Sequence, residues 1–386
     1  MLCNFCYIDR TMATSKHVPI RIPLFKVFMP KEVDAAVLKT LHSGYLSEGE
    51  RVKEFRESVR KFIGTQYVVP MSSCTMALQI AYRLSGVGPG DEVISTPLTC
   101  IATNTPIVSL GAKIVWADCE PLTGMIDPSK LEALITKKTK AIVVLHKDGD
   151  LARMDKILAI AKKHKIKVIE DAAHSFGAEY RGKKVGLLGD YTCFSLQAIK
   201  HVTTGDGGVL VCKNEKDFLL AKKLKWLGLD KEVLPAGKNA WLNDISVLGY
   251  KGNMNDLAAT IGNVQMKYVN KTIKAFNANG ELFSKLLKNV KGVQLVTRDP
   301  KNFSTYWTYA LLVPNKERVI SALAKEGIAS GEIHPRNDMY SIFKEFKRDL
   351  PGVDYFSKHA MSVPCGWWVT KDDVKKIVQI IKENVQ

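Results

Sequence analysis

A lysine, a histidine and two adjacent acids fall within one short stretch. VIEDAAHSFGAEYRGKKVGLLGDYTCFSLQAIKHVTTGDGG spans residues 168–208. An apolar run ends in Glu170 and Asp171, and His174 follows. A second β-like run over 191–196 ends near Lys200, which lies between Ile199 and a Thr-Thr-Gly-Asp-Gly-Gly turn. Carboxylate, imidazole and amine thus each sit just past a strand end, where ligands bind in open α/β sheets. A lysine in a partly apolar pocket sheds its proton and becomes an amine nucleophile. Chemistry on pyridoxal phosphate (PLP) needs this pairing. A lysine carries the cofactor as a Schiff base, and an acid faces the pyridine nitrogen to keep the ring an electron sink. Alone, such a lysine is usually a surface residue and such an aspartate a helix cap. Together, with the Gly-rich turn, they point to the cofactor.

A second feature suits the same cofactor. A strand over 67–70 runs through Ser72-Ser73-Cys74-Thr75 into a helix over 76–84. A small-residue turn at a helix N-terminus presents free N–H groups and a positive dipole end to a phosphate.

The segments E-D-A-A-H-x-x-G-A and S-x-Q-A-x-K-H-x-T-T-G-D-G-G resemble the DegT/DnrJ/EryC1/StrS family of nucleotide-sugar aminotransferases, from about residue 23 to the C-terminus. The resemblance implies PLP-dependent transferase fold type I: a large domain with a mostly parallel sheet plus a smaller α+β C-terminal domain. It implies that Lys200 bears the cofactor, that Asp171 pairs with the ring nitrogen and that His174 contacts the ring-hydroxyl side. Thr75, the Cys74 backbone and Ser195 would hold the phosphate. Cys100 stands where many members stack an aromatic on the ring, and a cysteine cannot stack.

Gly44-Tyr45-Leu46-Ser47-Glu48-Gly49 resembles the family's G-x-L-x-x-G loop near the active site, so Tyr45 is a candidate substrate contact. Gly249-Tyr250-Lys251-Gly252-Asn253-Met254-Asn255-Asp256 resembles a segment whose third residue, here Lys251, reaches the phosphate in the partner subunit. That implies a homodimer with shared sites. Arg336-Asn337-Asp338 matches a loop near the sugar nucleotide. There Arg336 would pair with a phosphate and Asn337 with a sugar hydroxyl. His146-Lys147-Asp148-Gly149-Asp150 replaces a loop that is usually apolar or aromatic.

The implied substrates are L-glutamate and a UDP-, dTDP- or GDP-linked 4-keto-6-deoxyhexose. PLP would become pyridoxamine phosphate in the first half-reaction. Histidine in E-D-A-x-H is frequent in members that aminate C-4, whereas many C-3 enzymes carry glutamine. The loop at 336–338 is similar to that of viosamine- and perosamine-forming enzymes. Alternatives are amination at C-3, or a sugar dehydratase of the same fold, in which histidine replaces the lysine. A non-catalytic PLP-fold regulator or nucleic-acid binder is suggested only by charge.

These residues need a scaffold, and the sequence supplies one. The 386 residues suit two domains, and 46% hydrophobic with 25% charged residues is ordinary for a globular chain. Period-2 runs over 92–96, 113–116, 140–146 and 167–169 alternate with helical patterns such as 154–164. This predicts a parallel sheet. The large PLP-binding domain is expected over 21–265 and the small domain over 266–386. A helical pattern over 257–290, broken near 277–280, leads into the latter. Residues 1–20 read as a poorly ordered extension without a signal-peptide core.

The net charge of +17 comes from scattered lysines. It reads as a solvated surface that mildly favours anionic nucleotide-sugars, with no nucleic-acid site. No window approaches a membrane span. The eight cysteines are dispersed, and Cys3-x-x-Cys6 lacks a second pair at zinc spacing. No metal site is expected, and the thiols suggest the reducing cytoplasm.

Overall fold

The computed structural model describes residues 18–233 and 242–385. Cys3, Cys6 and nearly all of the expected extension lie outside them.

A seven-stranded sheet forms the larger unit. Its strands are β1 (Val68–Met71), β2 (Glu92–Ser95), β3 (Lys113–Trp116), β4 (Thr139–Leu145), β5 (Lys167–Asp171), β8 (Tyr191–Ser195) and β9 (Gly208–Cys212), in the order β1-β9-β8-β5-β4-β2-β3. The hairpin strands β6 (Glu179–Tyr180) and β7 (Lys183–Lys184) stand apart. The pairs from β3 to β8 are parallel, while β9 runs antiparallel to both β8 and β1. Strands buried on both faces need apolar residues at every position, and alternate residues go to opposite layers. Ile142 and Val144 face α2 (Glu50–Ile63), α5 (Met154–His164) and α7 (Asp256–Met266). Ala141 and Val143 face α3 (Cys74–Leu84), α4 (Ile101–Ser109) and α6 (Glu215–Leu224).

A smaller antiparallel sheet joins β10 (Gln294–Leu295), β11 (Tyr309–Leu312) and β12 (Ala360–Val363). It shares a core with α9 (Lys316–Lys325), α11 (Lys371–Asn384) and the end of α8 (Val269–Leu287). Ile22 joins this third core and bridges to Ile328, although it is remote in sequence.

The expected helix break lies elsewhere. The chain turns at Lys267-Tyr268, and α8 runs unbroken through 277–280. Asn279 and Gly280 look like breakers but serve packing. The Asn279 amide donates to the carbonyls of Cys365, Gly366 and Val369. A Cβ on Gly280 would stand 2.3 Å from the Tyr306 ring. Residues 128–134 form a pair of 3-10 turns, Pro128–Lys130 and Glu132–Leu134.

Candidate active site

The parallel strands deliver the expected residues to one end of the sheet. Asp171 closes β5, Ser195 closes β8, and Lys200 follows in the next turn. Asp171 is buried. Its Oδ2 accepts from the Thr103 hydroxyl at 2.6 Å and its Oδ1 from the Ala173 N–H at 3.1 Å. Thr103 is itself fixed, with the Thr99 hydroxyl at 2.6 Å and the Tyr82 hydroxyl on its carbonyl at 2.9 Å. Burial pushes the Asp171 carboxyl up, while the Thr103 and Ala173 donors and the Lys200 charge oppose the shift.

Lys200 is half-buried, and desolvation lowers its pKa to about 8. Its Nζ lies 3.5 Å from the centroid of the Trp307 ring. The Trp307 indole N–H donates to the Ile199 carbonyl at 2.9 Å, fixing the wall to the turn that carries the lysine. Trp307 also stacks on His174, with centroids 3.8 Å apart and planes inclined by 16°.

His174 is buried, and burial with the Lys200 charge drives its pKa well below the ordinary value. It is therefore neutral near pH 7. Its Nδ1 accepts from the Asp148 N–H at 3.3 Å, which assigns the ring proton to Nε2. Tyr306 adopts φ 45°, a left-handed backbone that turns Trp307 into the site. Gly149 makes room for it, since a Cβ there would stand 2.5 Å from the Tyr306 nitrogen.

The expected anion cup falls at the N-terminus of α3. Ser73 caps it through Met76 N–H, and its first turn has no acidic residue. Cys74 is buried at its start and Thr75 is exposed. Gly208 lets β9 approach, since a Cβ would stand 2.4 Å from the Ser73 carbonyl carbon. Half-buried Cys100 precedes α4 and makes no side-chain cap. Ser195 accepts from the Gln197 N–H at 3.3 Å.

The candidate substrate residues are placed differently from one another. Tyr45 is 80% exposed in a loop held by Asp256, whose carboxylate accepts from the Gly49, Arg51 and Val52 N–H groups. Two family-like segments thus meet. Lys251 is exposed and its Nζ bonds Asn253 at 2.7 Å.

The 336–338 loop departs from expectation. The Arg336 guanidinium donates to both oxygens of Asp338, at 2.7 and 2.6 Å, and to Asp354. Two carboxylates already balance its charge, which weakens its fit to a phosphate. Asn337 is buried, donating to the Thr99 carbonyl and accepting from Asn104, both at 2.8 Å. These bonds tie the loop to α4 and the turn before it. Asp338 is buried against Arg336.

The sequence matches the DegT/DnrJ/EryC1/StrS aminotransferase family over residues 28–382. The chain belongs to that family. It is 33% identical to the spore coat polysaccharide biosynthesis protein SpsC of Bacillus subtilis, covering 96% of this chain and 97% of that protein. It is 30% identical to the UDP-4-amino-4-deoxy-L-arabinose–oxoglutarate aminotransferase of Shewanella sediminis, covering 94% and 98%. The crystal structure of AtS13 from Actinomadura melliaura superposes with a TM-score of 0.90 at 32% identity, covering 96% and 100%. The chain is thus a PLP-dependent sugar aminotransferase of fold type I.

The donor set fits the cofactor. A buried carboxylate, a half-buried amine of lowered pKa and an open helix N-terminus occupy one strand end. When bound, PLP supplies the electron sink that lets an α-proton leave. Asp171 would keep a proton on the ring nitrogen, and the α3 N-terminus would hold the phosphate. The lowered pKa leaves about a tenth of the Lys200 amine unprotonated at pH 7, against about one part in three thousand at pKa 10.5. Sequence reasoning missed Thr103 and Trp307, since nothing local separates them from a helix threonine and a core tryptophan.

Among the described residues no group of three or more His, Cys, Asp or Glu could hold a metal ion. No described helix is long and apolar enough to cross a membrane.

Proposed function

We propose that this aminotransferase moves the amino group of L-glutamate to C-4 of a nucleotide-linked 4-keto-6-deoxyhexose, giving a 4-amino-4,6-dideoxyhexose. Lys200 carries a proton between the donor's α-carbon and the cofactor's C4′, and does the reverse on the ketosugar. A base of pKa near 8 suits that transfer at neutral pH. His174, neutral and stacked on Trp307, holds the ring-hydroxyl side, while Trp307 keeps water from the amine.

The observation that carries the C-4 reading is His174 in E-D-A-A-H. The Shewanella relative, named for a 4-amino sugar and for oxoglutarate, supports both C-4 and glutamate, and its UDP-linked name favours UDP over dTDP or GDP. The site would be shared across a homodimer, with Lys251 serving the neighbour's phosphate. Its exposed ammonium is free to extend from the chain surface once it leaves Asn253.

The test offers a panel of nucleotide-ketosugars with glutamate and assigns the product by proton and carbon NMR. Nitrogen on C-3 with oxygen kept on C-4 refutes the regiochemistry. For the dimer, Lys200→Ala and Lys251→Ala chains are mixed. Shared sites predict recovered activity, and no recovery after verified subunit exchange counts against them.

A further inference from the structure

The turn after β4 carries a charge pair that the chemistry above does not use. Asp148 adopts φ 55°, a left-handed backbone, and its side chain is buried. Its Oδ2 lies 3.3 Å from the Lys147 ammonium. Its Oδ1 is shielded from water and has no hydrogen-bond partner among the described residues. A buried carboxylate oxygen left so is costly.

The turn cannot relieve this by moving, because it is tied on both sides. The His146 ring accepts from the Ala152 N–H at Nδ1 and so donates from Nε2 to Glu170 at 2.9 Å. The Gly149 carbonyl accepts from the Thr305 N–H at 3.1 Å and the Ser304 hydroxyl at 2.9 Å. Asp150 takes the Arg298 guanidinium at 2.9 Å.

Two further buried polar atoms share this condition, His334 Nε2 and Ser357 Oγ. Asp148, His334 and Ser357 line one cavity of about 20 Å³, with Phe356 and Met361 among its apolar walls. That volume admits one water-sized group. The cavity is next to the reaction centre, for the His334 ring is nearly parallel to that of His174 at 5.8 Å. Burial and the Lys200 and Lys147 charges hold the His334 pKa near 3, so its ring is neutral.

The unmet groups define a complement. An ionised carboxylate only accepts, whereas the Nε2 of a neutral imidazole donates in one tautomer and accepts in the other. One hydroxyl does both at once. Lys147 pairs with Asp148 at 3.3 Å and Lys316 with Glu332 at 3.6 Å, so these lysines hold no spare positive charge for an anionic group, and an acetamido group exceeds the space.

We propose that this pocket reads a free hydroxyl on the sugar substrate, the one on the carbon next to the reacting carbonyl. The proposal rests on the ketosugar reading above. Asp148 and His334 are specificity-determining residues, and removing the hydroxyl leaves the carboxylate oxygen unpaired. Sites built around a substrate hydroxyl reject the deoxy analogue far more strongly than apolar pockets reject a missing methylene.

The test uses the holoenzyme of the wild type, Asp148→Gly and Asp148→Asn. Glycine accepts the left-handed backbone freely and asparagine tolerates it. Cofactor absorbance follows the glutamate and ketosugar half-reactions separately. The ketosugar is compared with its 3-deoxy and 2-deoxy analogues. Wild type should prefer the parent over the 3-deoxy analogue by more than about 200-fold, beyond what a missing methylene gives. Asp148→Gly should shrink that ratio to below about fivefold, with Asp148→Asn between them, and the 2-deoxy ratio should not move. A 3-deoxy ratio unchanged in both variants, or an equal fall in both half-reactions, overturns the proposal alone. A wild type that aminates no ketosugar overturns the reaction reading and this proposal with it.

Discussion

Trp307 lies face to face with His174 at 3.8 Å, and its ring centroid stands 3.5 Å from the Lys200 amine. One indole therefore shapes the surroundings of both the proton carrier and the neutral imidazole. The tryptophan comes from the approach to β11 in the smaller sheet, whereas both partners follow strands of the larger one. The interface between the sheets thus takes part in setting the lysine's acidity.

Replacing this wall should change the lysine's titration. Trp307→Ala admits water and relieves the desolvation that lowers the Lys200 pKa. The cofactor-free protein should then bind PLP more slowly at pH 7, by about tenfold for each unit of restored pKa. Trp307→Phe keeps an aromatic face and should lose less. Recombination rates measured from pH 6 to 10 test this, and equal profiles for Trp307→Ala and wild type would refute it.

Thr103 is expected to matter through Asp171. Thr103→Val removes the 2.6 Å donor with little change of shape, leaving one buried carboxylate oxygen short of a partner. Such a loss costs about 1–3 kcal/mol, and the Asp171 carboxyl should rise further. Turnover should fall about ten- to a hundredfold, with the acidic limb of the pH–rate profile moved upward. Thr103→Ser should restore both. A profile that keeps its acidic limb while activity falls would argue for simple misfolding.

Much of this site is legible in the chain, and what is not has a physical reason. Lys200, Asp171 and His174 announce themselves because each follows a strand end within one continuous stretch. Ser73 and Cys74 do so because a helix N-terminus is a local feature. Trp307 reaches the Ile199 carbonyl across 108 positions, and no short-range pattern encodes that approach. The 336–338 loop shows the opposite failure. Its polar residues look like ligand contacts, yet Asn337 and Asp338 are buried with partners inside the chain. Asn279 and Gly280 mislead for a similar reason, since both answer to groups outside their own helix.

The internal pairing of Arg336 gives a direct check. Arg336→Gln should lower stability through loss of the Asp338 and Asp354 partners, and leave Asp338 buried without a counter-charge. Its effect on the nucleotide-sugar KM should be small, within about threefold, because the guanidinium is already engaged by two carboxylates of its own chain. Thermal melting and steady-state kinetics on one preparation separate the two. A large rise in KM with an unchanged melting temperature would restore a phosphate contact for Arg336.

Asp256 joins two segments that are distant in the chain. Its carboxylate accepts from three N–H groups around the start of α2, and Gly49 is tightly placed because a Cβ would stand 2.8 Å from Asp256 Oδ2. Asp256→Ala removes a cap, and loss of a cap costs about 0.5–2 kcal/mol. Urea unfolding should show that loss. Tyr45 lies in the loop that this contact anchors, so the sugar KM should rise along with it. A variant of unchanged midpoint would mean that the loop is held by other contacts.

Lys200 also carries a stability signature that does not depend on turnover. Its pKa falls from 10.5 in the unfolded chain to about 8 in the fold. Between those values the unfolded state binds the extra proton, so this group's contribution makes stability rise with pH. Below about pH 8 both states are protonated and the penalty is constant. Above about pH 10.5 neither is, and the penalty vanishes. Replacing the amine by an apolar chain of similar length removes the term. Lys200→Met should therefore be more stable than wild type at pH 7 in the cofactor-free protein, by at most about 3 kcal/mol because the amine keeps a solvated edge. The difference should shrink as pH rises from 8 toward 10.5. Paired urea titrations of the two proteins at several pH values provide the measurement. A difference that grows across that window, or a variant less stable than wild type at pH 7, would mean that Lys200 is not held against its charge by burial.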